Sequence, residues 1–561
     1  MARSIAAGVA SMVKLMFPNY NYLQIIEHIK ATAISIDAKN PQYSGNLGTG
    51  RVDAYAAVSN EDVRSVTLNN YSYTDTNNDG VLDIGETIEI SCEFLNVLKP
   101  VKNARVKARS MSLFKPQFIV SEVELGDLQT NDLKIPKDKF SFVVPENIPI
   151  DYTMDIEFFV TDDNGFCGRE LVPFVFRPSY RTMDANNISV TFNSIGNIGF
   201  NDYSNNEQGK GFIYGNSQNL LFEGALMIGV SPYKISNVAR GSNQSYKDLS
   251  FSTDNIFILK NPGNEAELEG MANFNDLSFL DGIGVDIKQT VYQFNEDGKK
   301  DFIICVYDIH NKSDNDFDSL FVGLFFDWDI GPSGANNQAN FDDEYYFGYV
   351  QNVQIDTIPL AGVKMLSFQK LNYYAIDNDG NYRGDLGVYD GFSKEEKWLC
   401  ISSGLKRKIS NVTDASHVIS AGPINLKKND STRIAFSLFS GYSVKELREN
   451  AYNSYITAKQ FNLSEWQSTK LPTVNCIEAT YPNPTYKNNV SISYNIIEKS
   501  NVNIDIYDSN GKFVDSILKN KSTFPGVYNI EFDTSYLTQG LYYVILNTGN
   551  GKCFSSFTLV R

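Results

Sequence analysis

The feature that most constrains this chain is a two-residue alternation of apolar and polar side chains, repeatedly broken by clusters of Asn, Asp and Gly. Val66 and Leu68, then Ile88, Ile90, Cys92 and Phe94, recur at period two. Successive side chains of a strand point to opposite faces, so such a run buries one face and wets the other. A helix would scatter the same residues around its circumference. The alternation therefore predicts short antiparallel strands and tight turns through most of the chain after Val58.

Phe118–Val120, Phe140–Val144 and Ile156–Val160 carry the pattern to about Pro178. The length and strand spacing of residues 61–178 predict an immunoglobulin-like β-sandwich. From Ser179 to about Thr473 the same texture continues, with Phe302–Tyr307 and Leu320–Phe326 as clear strands and Arg448–Thr457 as a rare helical stretch. Residues 179–475 are read as a large β-sandwich region, either one sandwich or two abutting ones. With 561 residues, 42% hydrophobic, the chain exceeds a single core and calls for three or four. The expected fold class is mainly β: tandem β-sandwich domains preceded by a short helical segment, residues 1–60.

A formal charge of −17, with no basic cluster, argues against nucleic acid as a partner, because phosphate binding needs a concentrated Lys/Arg surface. No apolar run is long enough to cross a bilayer as a helix; Ile5–Phe17 is short and broken by Lys14. The six cysteines fall in the order Cys92 and Cys167, Cys305 and Cys400, Cys476 and Cys553. That leaves two readings: one bridge per domain in an oxidising compartment, or buried thiols.

Residues 75–86 carry a metal-ligating pattern. Asp75, Asn77 and Asp79 offer convergent oxygens, and Gly80 permits the sharp turn. Val81 would give its carbonyl, Asp83 would bind directly or through water, and Glu86 would bind bidentately. Strands rather than helices flank the loop, so the expectation is a structural calcium site rather than a sensor. A second cluster joins Asp327-Trp328-Asp329 to Asp342, Asp343 and Glu344. On a strand the two aspartates share a face, as a cation site or as a glycosidase-like carboxylate pair with Trp328 as a sugar platform. Asp162-Asp163-Asn164-Gly165 and Asp377-Asn378-Asp379-Gly380 read as turns.

Two stretches resemble known families. Met1-Ala2-Arg3-Ser4, the Ala7-Gly8 that follows and an apolar helix to Phe17 lead through a second helix around Ile25, Ile26 and Ile29 to Asn40-Pro41-Gln42-Tyr43-Ser44-Gly45-Asn46-Leu47-Gly48-Thr49-Gly50-Arg51-Val52-Asp53-Ala54. This resembles the end of the catalytic domain of subtilisin-like serine peptidases, although Ser4 stands where that family has proline. The resemblance implies that residues 1–60 are the remnant of an α/β domain whose aspartate, histidine and serine lie upstream of Met1. It also implies that the chain alone does not cleave peptides. His28, His310 and His417 have no serine nucleophile motif beside them. An export signal is likewise expected upstream.

The second stretch holds Tyr481-Pro482-Asn483-Pro484, the strand Val502–Tyr507 running into Asp508-Ser509-Asn510-Gly511-Lys512, then Gly540–Leu546 and a terminal Phe557-Thr558-Leu559-Val560-Arg561. It resembles the C-terminal sorting domain of the type IX secretion system. The resemblance implies that residues 476–561 form a compact sandwich, recognised through 478–561 by that machinery, in a secreted or cell-surface protein. A fibronectin-like spacer is the plainer reading of the same strands. The functional expectation is the C-terminal part of an exported subtilisin-like endopeptidase; the alternative is a non-catalytic surface protein binding glycan or another cell.

Overall fold

The computed structural model describes the whole chain except residues 1, 44, 46, 244–245, 381–385 and 465–473. Met1, Ser44 and Asn46 of the peptidase-like stretch, and the expected boundary near Thr473, fall outside the described residues. The fold is mainly β and divides into two compact units, residues 1–178 and 179–561.

In the first unit the helices Ala2–Met16 and Tyr22–Ala31 pack together, and the short helix Ala54–Ser59 joins them. Asn21 and Gln24 cap the second helix reciprocally, which satisfies backbone N–H groups that the helix start leaves unpaired. Val9, Val13 and Ala57 make a small core with Phe17, Tyr20, Ile25 and Ile29. His28 is buried in it, bonded to the Ala57 carbonyl at 2.9 Å, and burial holds its pKa down. Other apolar side chains of these helices stay wet: Ile5 is 59% exposed and Leu15 80%, and Met12, Met16 and Ile26 are exposed too.

These helices rest on a sandwich of two antiparallel sheets. One contains Val66–Thr74, Thr87–Asn96 and Phe140–Val143; the other contains Val101–Ser110, Tyr152–Asp162 and Gly165–Phe176. The period-two set Ile88, Ile90, Cys92 and Phe94 forms its inward face against Val106, Ile156 and Phe158. Glu27 accepts from Ser65 at 2.7 Å, and Lys30 joins it to Glu170, which fastens the helices to the sandwich.

In the second unit a nine-stranded and an eight-stranded sheet share one continuous core from Met183 to Leu438. Among the described residues the two sheets pack on that shared core rather than on two separate ones. Phe317–Trp328 runs centrally in the nine-stranded sheet, between Leu221–Ser231 and Ala415–Leu426. The helix Val444–Gln460 covers the outer face of the eight-stranded sheet.

The remaining strands form a smaller sandwich. Cys476–Tyr481, Asn489–Ile496 and Gly526–Asp533 make one sheet; Phe513–Thr523, Ser500–Asp508, Gly540–Thr548 and Gly551–Leu559 make the other. It docks on the large sandwich through rings: Tyr528 meets Tyr346 at 4.4 Å, and Phe524 meets Tyr345 at 4.3 Å.

Candidate functional site

The most elaborate polar site lies on the outer face of the nine-stranded sheet. Phe326 and Trp328 turn into the core, so Asp327 between them turns out. Register places Glu223 and Ser416 directly across from Asp327 on the two neighbouring strands. Arg240 reaches over both carboxylates: its Nε donates to Glu223 at 2.6 Å and its Nη2 to Asp327. The Arg240 backbone N–H also donates to Glu223, at 2.6 Å. Asp327 accepts further bonds from Asn378 at 2.7 Å and Ser416 at 2.9 Å. Rings of Tyr203, Phe222 and Phe325 stand 5.6 to 5.7 Å from the guanidinium. Burial opposes the charge on Arg240, but Asp327 and Glu223 outweigh it and hold the group ionised.

Beside this network opens a cleft of about 360 Å³, walled by Tyr203, Phe222 and Tyr389 and floored by Arg240, Asp327, Asp329 and Asp414. Asp414 accepts from the Tyr389 hydroxyl at 2.6 Å, while its Oδ1 is buried without a hydrogen bond. Asp329 and Asp414 converge on Gly334, where an added Cβ would meet their oxygens at 2.6 and 2.8 Å. Burial, then the charges of Asp327 and Asp414, push the Asp329 carboxyl up to about 7. Burial and Asp327 raise Asp414 as well. The cleft thus sets the Arg240 ion-pair network next to a carboxyl pair whose proton affinity burial raises, with aromatic residues in the lining.

A pH dependence follows. Asp329 binds its proton more tightly folded than unfolded, so the folded state gains stability at low pH and loses it as pH rises from about 4 to about 7. Asp329→Asn should flatten that fall, measured as urea midpoints at pH 5 and pH 8. Equal slopes in parent and variant would remove Asp329 from the cause.

Trp328 corrects the reading of it as a sugar platform. It is fully buried, stacked on Phe326, and its Nε1–H donates to His417 at 3.2 Å. Burial holds His417 neutral, with its pKa down at about 3. The second acidic run does not join the cleft: Asp342 and Glu344 pair with Arg448, and Asp343 pairs with Lys408. The two Asx-Gly turns do more than turn. Asp162 pairs with Arg64, Asp377 pairs with Arg407, and Asn378 belongs to the Arg240 network.

The loop 75–86 folds around its own backbone. Asp75 accepts from the N–H groups of Asp79 at 3.1 Å and Gly80 at 2.8 Å, and Asn77 accepts from Asp79 at 2.9 Å. Asp79 accepts from Val81, Glu86 from Asp83, and Asp83 from Arg177 at 3.0 Å. Gly80 has φ +76°, a conformation that favours glycine. Burial, opposed by the bond from the Asp83 N–H, and then repulsion from Asp79, Asp75 and Asp83 raise the Glu86 pKa. Among the described residues no three His, Cys, Asp or Glu side chains are grouped as ready metal ligands.

The small C-terminal sandwich presents seven strands ending on Gly551–Leu559, with the Tyr-Pro-Asn-Pro turn at its start. Residues 479–559 match the secretion system C-terminal sorting domain family. The sorting domain buries Val502, Ile504, Ile506, Val544, Leu546, Phe557 and Leu559 in one core. It is the type IX kind, and it marks the protein as cargo for secretion or display at the cell surface. Among the described residues no helix is long and apolar enough to cross a membrane.

No curated protein sequence matches the chain. Solved structures with distant likeness include a bacterial glucoamylase complexed with acarbose, at 11% identity and TM-score 0.31, covering 50% of this chain and 34% of that one. A polysaccharide lyase matches at 9% identity and TM-score 0.22, over 60% of this chain and 39% of the other. A tetra-tandem repeat from the extending region of a large adhesion protein matches at 11% and TM-score 0.13, over 89% and 100%. The chain spans about a third of the length of the glucoamylase. Likeness at this level assigns no function.

Proposed function

We propose that this chain is the C-terminal part of an exported subtilisin-like serine endopeptidase, in which residues 1–60 are the closing helices of the catalytic domain. The observation that supports this reading is the exposure of Ile5, Met12, Leu15, Met16 and Ile26. Five large apolar side chains left exposed on two neighbouring helices are what a further domain packed there would cover. In this reading the catalytic aspartate, histidine and serine belong to sequence preceding residue 1, and the sandwiches are accessory domains. A fluorophosphonate probe, which labels activated serines, tests it. The chain as given should remain unlabelled, and a product extended upstream in the same reading frame should label. An extended product that stays unlabelled, or a frame with no triad motifs, would overturn the reading.

Within it, the loop Asp75–Glu86 is a structural calcium site. Its side chains now cap the loop's own N–H groups, and burial and then repulsion from Asp79, Asp75 and Asp83 raise Glu86; a divalent cation would relieve that repulsion. A site that binds only the folded state adds about 2.7 kcal/mol at a hundredfold excess over Kd. The unfolding temperature of unit 1 should therefore climb with calcium, and Asp79→Ala with Glu86→Ala should abolish the climb. Identical calcium responses in parent and double variant would reduce the loop to a turn.

The cleft supports a second reading, a surface protein that binds glycan. Aromatic and carboxylate side chains lining one cleft suit the apolar face and the hydroxyls of a sugar ring. A glycan array read with the parent and with Tyr389→Ala tests it. Binding lost in the variant would support the reading, and no binding by the parent would sink it.

A further inference from the structure

Cys476 opens the first strand of the sorting domain and Cys553 lies in its last, so the two are 77 positions apart in sequence. The strands belong to different sheets, yet they lie side by side: the Ile477 N–H donates to the Cys553 sulfur at 3.2 Å, and Thr480 bonds the Ser556 carbonyl at 2.7 Å. The nitrogen of Ile477 is one peptide unit from the Cα of Cys476. The Cys553 sulfur therefore sits within about 6 Å of that Cα, which makes Cys476 and Cys553 spatial neighbours despite their separation in sequence. Cys476 donates instead to Asn495 at 3.1 Å. Both thiols are half-buried, reachable by a small oxidant, whereas Cys92, Cys167, Cys305 and Cys400 are buried. Burial, opposed by the bond to Asn495, and then the neighbouring Cys553 raise the Cys476 thiol.

We propose that Cys476 and Cys553 form an intramolecular disulfide when the sorting domain meets an oxidising compartment. The oxidant is a small-molecule or protein disulfide. One thiolate attacks it and expels a thiol, and the second thiolate then attacks the mixed disulfide. Two protons and two electrons leave the pair, and the oxidant is reduced to two thiols. Export sends this domain out of the reducing cytoplasm, which is where such bonds persist. The bond would tie the first strand to the last across the two sheets. It would add a covalent link to the hydrogen bonds and core packing that join those strands.

The test uses the full chain. Purified reduced protein is treated with oxidised glutathione at pH 8.5, its remaining thiols are alkylated, and it is digested without reductant. The expected result is one peptide pair joined through Cys476 and Cys553, two hydrogens lighter than the reduced sum, with both cysteines lost to alkylation. The oxidised sorting domain should melt about 10 °C above the reduced one, a gap absent in Cys553→Ser. Cys476 and Cys553 each recovered alkylated, or each carrying glutathione, would overturn the proposal. So would a joined pair with no gain in melting temperature over Cys553→Ser, since the bond would then staple nothing.

Discussion

A reporter carrying an N-terminal export signal and residues 476–561 at its end should leave a cell that has the type IX machinery, and the same reporter lacking residues 557–561 should not. The expected effect is close to all-or-none, because those five residues are structural as well as terminal. Phe557 and Leu559 are buried in the sorting-domain core. Thr558 and Val560 bond on one side to Thr485, at 2.8 and 3.0 Å, while residues 557–559 pair on the other side with Gly540–Tyr542. Arg561 then reaches the carbonyl of Thr534 at 2.6 Å. The end of the chain is therefore locked between both sheets rather than lying at an open edge. Its removal unpairs Gly540–Tyr542 and hollows the core, and Phe557→Ala alone should cost about 3–5 kcal/mol. Arg561→Ala separates folding from recognition: it keeps the core, so a loss of export with an unchanged melting temperature would assign recognition to the terminus itself. Equal export of the full and shortened reporters would leave this domain a spacer.

How far such features were legible depended on whether they were local. Alternation in Ile88–Phe94 and Val502–Ile506 read directly as strands with one buried face, since each needs only its own neighbours to set the phase. The sorting domain was legible because its motifs lie along one short segment. The cleft was not. Arg240, Glu223, Asp327 and Asp414 come from segments nearly two hundred residues apart, and only sheet register brings Glu223, Asp327 and Ser416 into one row. Nothing beside Arg240 in the sequence marks it. Trp328 misled because Phe325 and Phe326 are both apolar, which hides the phase of the strand; with Phe326 inward, Trp328 follows it and Asp327 faces out. Whether residues 179–475 held one sandwich or two was also beyond local reading, since both give the same strands and differ only in which faces meet.

The Arg240 network should prove the most costly charge group in the molecule to break. Arg240→Met keeps most of the volume and the stack against Tyr203 and Phe222, but removes the cation that pairs with both Glu223 and Asp327. Both carboxylates are about 95% buried. Uncompensated, they repel one another in a medium that cannot solvate them, and breaking a buried pair by deleting one partner costs about 3–5 kcal/mol. Removing an exposed cation, as in Lys428→Met beside Asp314, should change nothing measurable. The cost should also depend on pH in a direction fixed by its cause. Without Arg240 the two carboxyls titrate above their unfolded values, so the variant binds protons on folding and its deficit shrinks as pH falls from 8 to 5. Adding Asp327→Asn should recover part of the loss at pH 8, because the amide removes one charge while still able to accept from Ser416. Urea unfolding of the four proteins at the two pH values measures all of this. A deficit below about 1 kcal/mol, or one equal at both pH values, would mean that packing rather than charge makes Arg240 matter.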